Sequence, residues 1–306
     1  MDPRVAVQKL VTSDLTYGTL NDEQVQQFYT QIFDAIPFSA LVRKERRRAR
    51  NGELDKMLLG SRLLRAKTEG PTSDDGYRAA PTFARLQYAT VRLKLPWEVS
   101  EETYQENIEG EGMEDKLMGM MTTQLALDLE DLHFNGDATT SPFLVLNTGW
   151  WKQAVDGGAH SVDATAINGG VISKDHFFAA KAAMPAKYLT SGRARWIMNS
   201  STQDAWVQAV SDRATSAGDA ALLGAASQAP LGIPIVQVPS LSDGKVMLTD
   251  PQNLIVVNTH DVRIRKAAEG KEAVMNDMRY YSVFLDDDCV IEELDAVVIV
   301  EDMTLA

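Results

Sequence analysis

Residues 113–134 carry a single apolar stripe: Leu117, Met121, Leu125, Leu129 and Leu132 step by four, four, four and three. This spacing returns to one face of an α-helix and predicts a helix from Met113 to Phe134. At 1.5 Å per residue it would be roughly 33 Å long. Gly119 within it, and Gly110 and Gly112 before it, weaken its front half. The far end reads DLEDLHFNGD (128–137), which crowds Asp128, Glu130, Asp131 and His133 ahead of a turn at Asn135-Gly136.

On either side of that helix the texture differs. Upstream, SRLLRAKTEG (61–70) and FARLQYATVRLKLPWEV (83–99) read as strands, the second with a period of two. The polar, turn-rich PTSDDGYRAAP (71–81) joins them, so the pair reads as a long hairpin with its tip near residues 70–81. A hairpin alone is marginal and needs a surface to lie on. LNDEQVQQFYTQIFDAI (20–36) predicts an early helix ended by Pro37. Downstream, helices (173–185, 201–214) alternate with strands (194–200, 232–241, 245–250), and Ser173 is a plausible N-cap. The runs 253–258, 262–265, 279–287 and 296–303 then close the chain as antiparallel strands.

The charge is uneven. The net is −13, yet Arg43 to Lys67 holds ten Lys/Arg against three acids, leaving −20 for the remainder. An acidic body repels nucleic acid over most of its surface, whereas a basic arm can dock on the acidic body of another copy. With 44% hydrophobic and 24% charged residues the chain reads as a soluble globular protein. No run approaches the roughly 18 apolar residues of a membrane span, and the start lacks a secretory signal pattern. A lone cysteine, Cys289, is consistent with a reducing cytoplasm.

Chemistry is hard to find. Glu130 and His133, three apart, could share a helix face, but zinc needs three or four converging ligands, and His160, His176 and His260 have no ligand spacing. The acids and His133 are therefore expected on a solvated helix face. Asp286, Asp287 and Asp288 are expected in an exposed turn, with no EF-hand pattern around them. Cys289 sits in an acidic setting that raises a thiol pKa. There is no GxSxG elbow, Walker loop or GxGxxG after a strand. No catalytic residue, cofactor or metal is assigned, and RKERRRAR (43–50) lacks the aromatic platform of a nucleic-acid reader.

The order of these parts resembles the major capsid proteins of tailed double-stranded-DNA bacteriophages, with the Hong Kong 97-type shell fold. GSRLLRAKTEG and YATVRLKLPWEVSEETYQENIE are similar to the family's extended loop and the lead into its spine helix. GMEDKLMGMMTTQLALDLEDLHFNGD is similar to the spine helix, LGIPIVQVPSL with KVMLTDPQNLIVV to a strand pair, and RYYSVFLDDDCVIEELDAVVIVEDM to the closing strands. The resemblance implies an α+β chain with an N-terminal arm (1–59), an extended β-hairpin loop (60–99) and a peripheral domain with the spine helix (100–149). An axial α/β domain (150–260) and closing peripheral strands (261–306) complete it.

The resemblance further implies a structural, non-enzymatic subunit that self-assembles into pentamers and hexamers of an icosahedral shell around double-stranded DNA. The DNA would be enclosed without sequence-specific binding, with no membrane involved. Such a subunit resides in the virion and assembles in the host cytoplasm with a portal and a separate scaffolding protein, unless this chain is a processed form. Inter-subunit contacts are expected at the arm (Arg43, Lys44, Arg46, Arg47, Arg48, Arg50) and the loop tip (Gly70, Pro71, Asp74, Asp75, Tyr77, Arg78). Lys67 and Lys94 flank the loop, and no covalent cross-link is expected. The competing readings are an encapsulin-type compartment shell, a metal-dependent hydrolase using Asp128, Glu130, Asp131 and His133, and a nucleic-acid binder acting through residues 43–50.

Overall fold

A computed structural model describes residues 37–58, 82–106, 113–137, 142–211, 229–259, 263–269 and 271–305. In chain order the first elements are β1 (Arg43–Arg46), β2 (Asn51–Leu58), β3 (Thr82–Ala89), β4 (Val91–Ser100), α1 (Glu101–Glu106) and α2 (Met113–Asn135). Then come α3 (Trp150–Asp156), β5 (His160–Asp163), α4 (Lys174–Ala183), α5 (Ala186–Leu189), β6 (Arg195–Met198) and α6 (Ser200–Ser211). The last are β7 (Ile235–Gln237), β8 (Val246–Thr249), β9 (Leu254–Asn258), β10 (Arg263–Ala267), α7 (Lys271–Asn276), β11 (Met278–Ile291) and β12 (Val297–Glu301).

Two five-stranded sheets organise this mixed α+β chain. In the first, the order β1-β9-β11-β10 is joined by β4, which pairs antiparallel with β11. The second has the order β5-β12-β8-β6-β7. The predicted long helix is α2, and its stripe lies where the periodicity puts it. Leu117, Met121, Leu125 and Leu129 pack on Trp97, Val99, Tyr281, Val283 and Leu285 of β4 and β11. Trp97 and Tyr281 are direct partners in the β4–β11 register, and their rings stack 5.3 Å apart at 4°. Such cross-strand aromatic pairs stabilise a sheet by a few tenths to about 1 kcal/mol.

The upstream strands divide differently from the sequence expectation. β3 and β4 are separate strands, and their apolar faces have opposite parity. Leu86 and Tyr88 pack with Leu54, Ile255, Val257 and Val290, whereas Leu93, Leu95, Trp97 and Val99 pack under α2. A period-two strand keeps one parity per face, so the chain must change face between them, and it does so at Thr90. Thr90 donates its N–H to the Arg50 carbonyl at 2.8 Å, and its hydroxyl meets that of Thr259 at 2.8 Å. The hairpin is β2 against β3, from Asn51↔Ala89 to Leu58↔Thr82. It therefore begins at residue 51, inside the segment expected as arm, while β4 belongs to the first sheet. The run 61–70, the connection 71–81 and the helix expected at 20–36 fall outside the described residues.

The basic stretch contributes an edge strand whose residues alternate between half-buried and exposed. Arg43–Arg46 forms β1, parallel to β9 with Arg43 opposite Ile255. Phe38 and Val42, both buried, anchor it. Charged side chains suit it because β1 is an edge strand, where charge discourages pairing with a stray chain.

The two sheets share a core. Leu254, Val256 and Ile291 from the first meet Ile197, Met247, Val297 and Ile299 from the second, with Phe134, Trp150 and Trp151 between. The opposite face of the second sheet (Trp196, Met198, Val246, Leu248, Val298, Val300) is covered by Phe177 of α4 and Trp206 of α6. Burial on both faces explains the unbroken apolar runs VMLT and VVIV. β9 lies in the first sheet and β12 inside the second. Pairing partners, rather than chain order, set these memberships.

Candidate assembly surfaces and a buried acidic cluster

The run Asp286-Asp287-Asp288 is not an exposed turn. It lies within β11 and its residues are 2%, 2% and 6% exposed. Successive β11 side chains point to opposite faces, so the triplet splits. Asp287 and Cys289 follow Tyr281, Val283 and Leu285 onto the α2 side; Asp286 and Asp288 face the hairpin. Asp286 meets Arg92 at 3.1 Å and Arg50 at 3.8 Å. Asp288 accepts from the N–H groups of Ala89 (2.7 Å) and Cys289 (2.8 Å). Burial still pushes its carboxyl above the usual Asp range, these hydrogen bonds offsetting part of the rise.

On the α2 side, His133 Nε2 lies 2.5 Å from Asp287 Oδ2, and Asn258 donates to Asp287 Oδ1 at 3.1 Å. The His133 ring also lies 5.2 Å from Trp150. One turn earlier, Glu130 is 5% exposed and accepts from Ser240 Oγ at 3.0 Å. Asn135 donates to Asp131 at 2.7 Å and to the Ser240 carbonyl at 2.5 Å. The end of the long helix is thus tied to β11 through His133 and to the loop between β7 and β8 through Glu130 and Asn135. Glu130 and His133 are packed inside, contrary to the solvated face expected of them. Asp128 behaves as expected, accepting from Gln124 at the surface.

The Asn135-Gly136 turn closes the arrangement. A Cβ on Gly136 would come within 2.5 Å of the Leu132 carbonyl oxygen and 2.6 Å of that of Asn147. The close approach lets Gly149 donate to the Gly136 carbonyl at 2.9 Å, which starts α3 against the end of α2.

Among the described residues no three His, Cys, Asp or Glu side chains are grouped to hold a metal. Asp128 and Asp131 bond within their own helix, away from the His133–Asp287 pair. Cys289 is fully buried, and its thiol is pushed well up, first by burial and then by Asp287 and Asp288. A thiol so placed is a packing residue. No described helix is long and apolar enough to cross a membrane.

Several of the expected contact residues are engaged within the chain. Arg43 pairs with Glu292 at 2.7 Å and with Glu45 at 3.5 Å; Arg47 lies 3.7 Å from Glu45. Lys56, in β2, reaches Glu293 at 2.5 Å. Lys44, Arg46, Arg48 and Arg50 are exposed, Arg50 while paired with Asp286. Gly70, Pro71, Asp74, Asp75, Tyr77 and Arg78 lie outside the described residues, as does Lys67. The sequence reading missed two exposed apolar sites. Met57 and Phe83, direct partners across the hairpin, are 65% and 66% exposed, and Val274 and Met275 of α7 are 70% and 75% exposed. Exposure of this kind marks contact surfaces when it is contiguous.

No family model matches the chain. Bacillus subtilis YqbE, which carries the name of a prophage capsid protein, is 27% identical over 294 residues, spanning 92% of this chain and 91% of its own. Among solved structures, the capsid of a native GTA particle aligns over 98% of this chain and 100% of its own, with a TM-score of 0.65 at 14% identity. Gordonia phage Cozz gives a TM-score of 0.64 at 14% identity over 98% and 96% of the two chains. The procapsid of satellite phage P4, solved with its size determination protein, gives 0.58 at 15% identity over 96% and 100%. With TM-scores of 0.58 to 0.65 along nearly the whole of each chain, this mixed α+β chain has the fold of the bacteriophage capsid proteins.

Proposed function

We propose that the chain is a capsid subunit, a structural protein that assembles with copies of itself into a closed icosahedral shell built of pentamers and hexamers around double-stranded DNA. The observation that carries this reading is the likeness in fold to a capsid chain along 98% of this sequence and the whole of that one. The surface supports it. Among the described residues the hairpin's apolar packing rests on Leu54, Leu86 and Tyr88, and Met57 and Phe83 face outward. On this reading the first sheet with α2 is the peripheral domain, and the second sheet with α4 and α6 is the axial domain. The hairpin and the exposed basic residues Lys44, Arg46, Arg48 and Arg50 contact neighbouring copies, as do the loop-tip residues 70–78. Head-to-tail contacts of this kind close into rings, and many modest contacts per subunit stabilise the whole by multivalency. The net charge of −13 keeps the wall from adhering to DNA. A scaffolding protein and a portal act in assembly, which takes place in the host cytoplasm, and the product resides in the virion.

The test is negative-stain electron microscopy of the purified chain, with light scattering for mass, alone and with a scaffolding protein added. Closed shells or rings of five and six are expected. A monomer that stays monomeric with scaffold and crowding agents present overturns the reading.

A further inference from the structure

A cavity of about 170 Å³ lies where the last turns of α2 meet β1, β9, β11 and α3. Its polar wall is Ser39, Lys44, Glu130, His133, Asn258 and Asp287. Phe38, Val42, Ala126, Leu129, Trp150 and Val256 make up the apolar remainder. A space of this size with polar groups along one wall has room for several water molecules, so a proton can pass between that wall and solvent. Glu130 is the unbalanced member. Its Oε1 accepts from Ser240, but its Oε2 is buried and has no hydrogen-bond partner among the described residues. A buried carboxylate oxygen left without a donor is costly, and the cost falls when the group is protonated.

The charges around Glu130 come from every element packed on it. Asp131 and His133 lie on its own helix, Asp287 on β11 holds His133 and lines the same cavity, and Lys44 projects from β1. Ser240, between β7 and β8, is neutral and donates. Ionised Glu130 places a buried negative charge next to Asp131, while the His133 imidazole is already held by Asp287.

We infer that Glu130 is a proton-operated catch between the long helix and the two sheets. Protonated, it keeps Ser240 and leaves the His133–Asp287 pair undisturbed, so α2 stays joined to the β7–β8 loop and to β11 at once. Ionised, it loosens the last turn of α2 and the Ser240 loop together. The direction of titration agrees with the geometry. Burial raises the Glu130 pKa above its ordinary 4.5; hydrogen bonds from Ser240 and the charge of His133 offset part of this, and Asp131 adds to it. The folded chain therefore holds this proton more tightly than the unfolded chain. The stability it contributes is complete below the ordinary value and is lost as pH rises through the raised one. Asp288, on the other face of β11, shifts in the same direction, so the readout must be local.

The experiment is hydrogen exchange of the full chain from about pH 5 to about pH 8, corrected for the intrinsic pH dependence of exchange, read in segments 126–137 and 238–242. In the wild type, protection in both segments falls as pH rises, at most about tenfold per pH unit for one proton. Glu130→Gln, neutral and nearly isosteric, flattens the dependence. Ser240→Ala removes a donor to the carboxylate and moves the loss to higher pH. Asp288→Asn leaves the dependence in these segments as in the wild type. The same pH dependence in wild type and Glu130→Gln overturns the inference. So does a loss at lower pH in Ser240→Ala, which decides the question if Glu130→Gln fails to fold.

Discussion

Two glycines of the long helix should respond to the same substitution with opposite signs. Gly119 lies in the exposed interior of α2, and a Cβ built on it meets nothing within 4 Å. Alanine there loses less backbone entropy on folding than glycine, so Gly119→Ala should stabilise by about 0.5–1 kcal/mol. Gly136 closes the same helix. A Cβ there would sit 2.5 Å from the Leu132 oxygen, 2.6 Å from the Asn147 oxygen and 2.8 Å from the Gly149 nitrogen. All three are backbone atoms, and ordinary contact begins near 3.4 Å, so about 0.6–0.9 Å of main-chain movement is needed on several sides at once. Overpacking of this kind costs typically 1–3 kcal/mol. The movement also separates α2 from α3 at the Gly149–Gly136 hydrogen bond. Urea unfolding of both full-length variants, followed by tryptophan fluorescence, reads the signs, and hydrogen exchange across 113–137 locates them. Gly136→Ala within about 0.5 kcal/mol of the wild type would show that the turn yields freely, and the packing argument would be refuted.

Lys56→Met breaks a half-buried pair with Glu293 and a bond to the Glu292 carbonyl at 2.8 Å. It should lower stability by about 1.5–3 kcal/mol, the range for charge-assisted bonds, measured as a shift in urea midpoint. The double substitution Met57→Ser with Phe83→Ser should leave the unassembled chain within about 0.5 kcal/mol of the wild type, as exposed positions generally do, while reducing shell yield by electron microscopy; unchanged yield would remove the hairpin pair from the interface. Charge reversal at Arg46, Arg47 and Arg48 should likewise impair assembly of a folded chain, and assembly at normal efficiency would count against a contact there. Cys289 should resist a thiol-reactive disulfide reagent until the chain is unfolded, since the thiol is buried and its pKa is raised; rapid reaction of the native chain would contradict its placement.

What the sequence determined by itself was whatever is written in local periodicity. The stripe Leu117–Leu132 specified α2 and its buried face, because 3.6 residues per turn bring those positions together whatever they pack on. The apolar runs at 246–249, 254–258 and 297–301 specified strands for the same kind of reason, with the side chains and not their partners carrying the signal. Tertiary structure alone decided which sheet each strand joins. β12 runs antiparallel to β8 in one sheet while β9 pairs with β11 in the other, and nothing in VVIVE or LIVVN distinguishes the two outcomes. It also decided the fate of the charges. Asp286, Asp287 and Asp288 read as a surface turn because their partners are remote: Arg92 is 194 residues away, His133 154 and Ala89 199. A buried carboxylate is tolerated only where such donors converge, and convergence from separate elements is a property of the folded chain that no window of sequence contains.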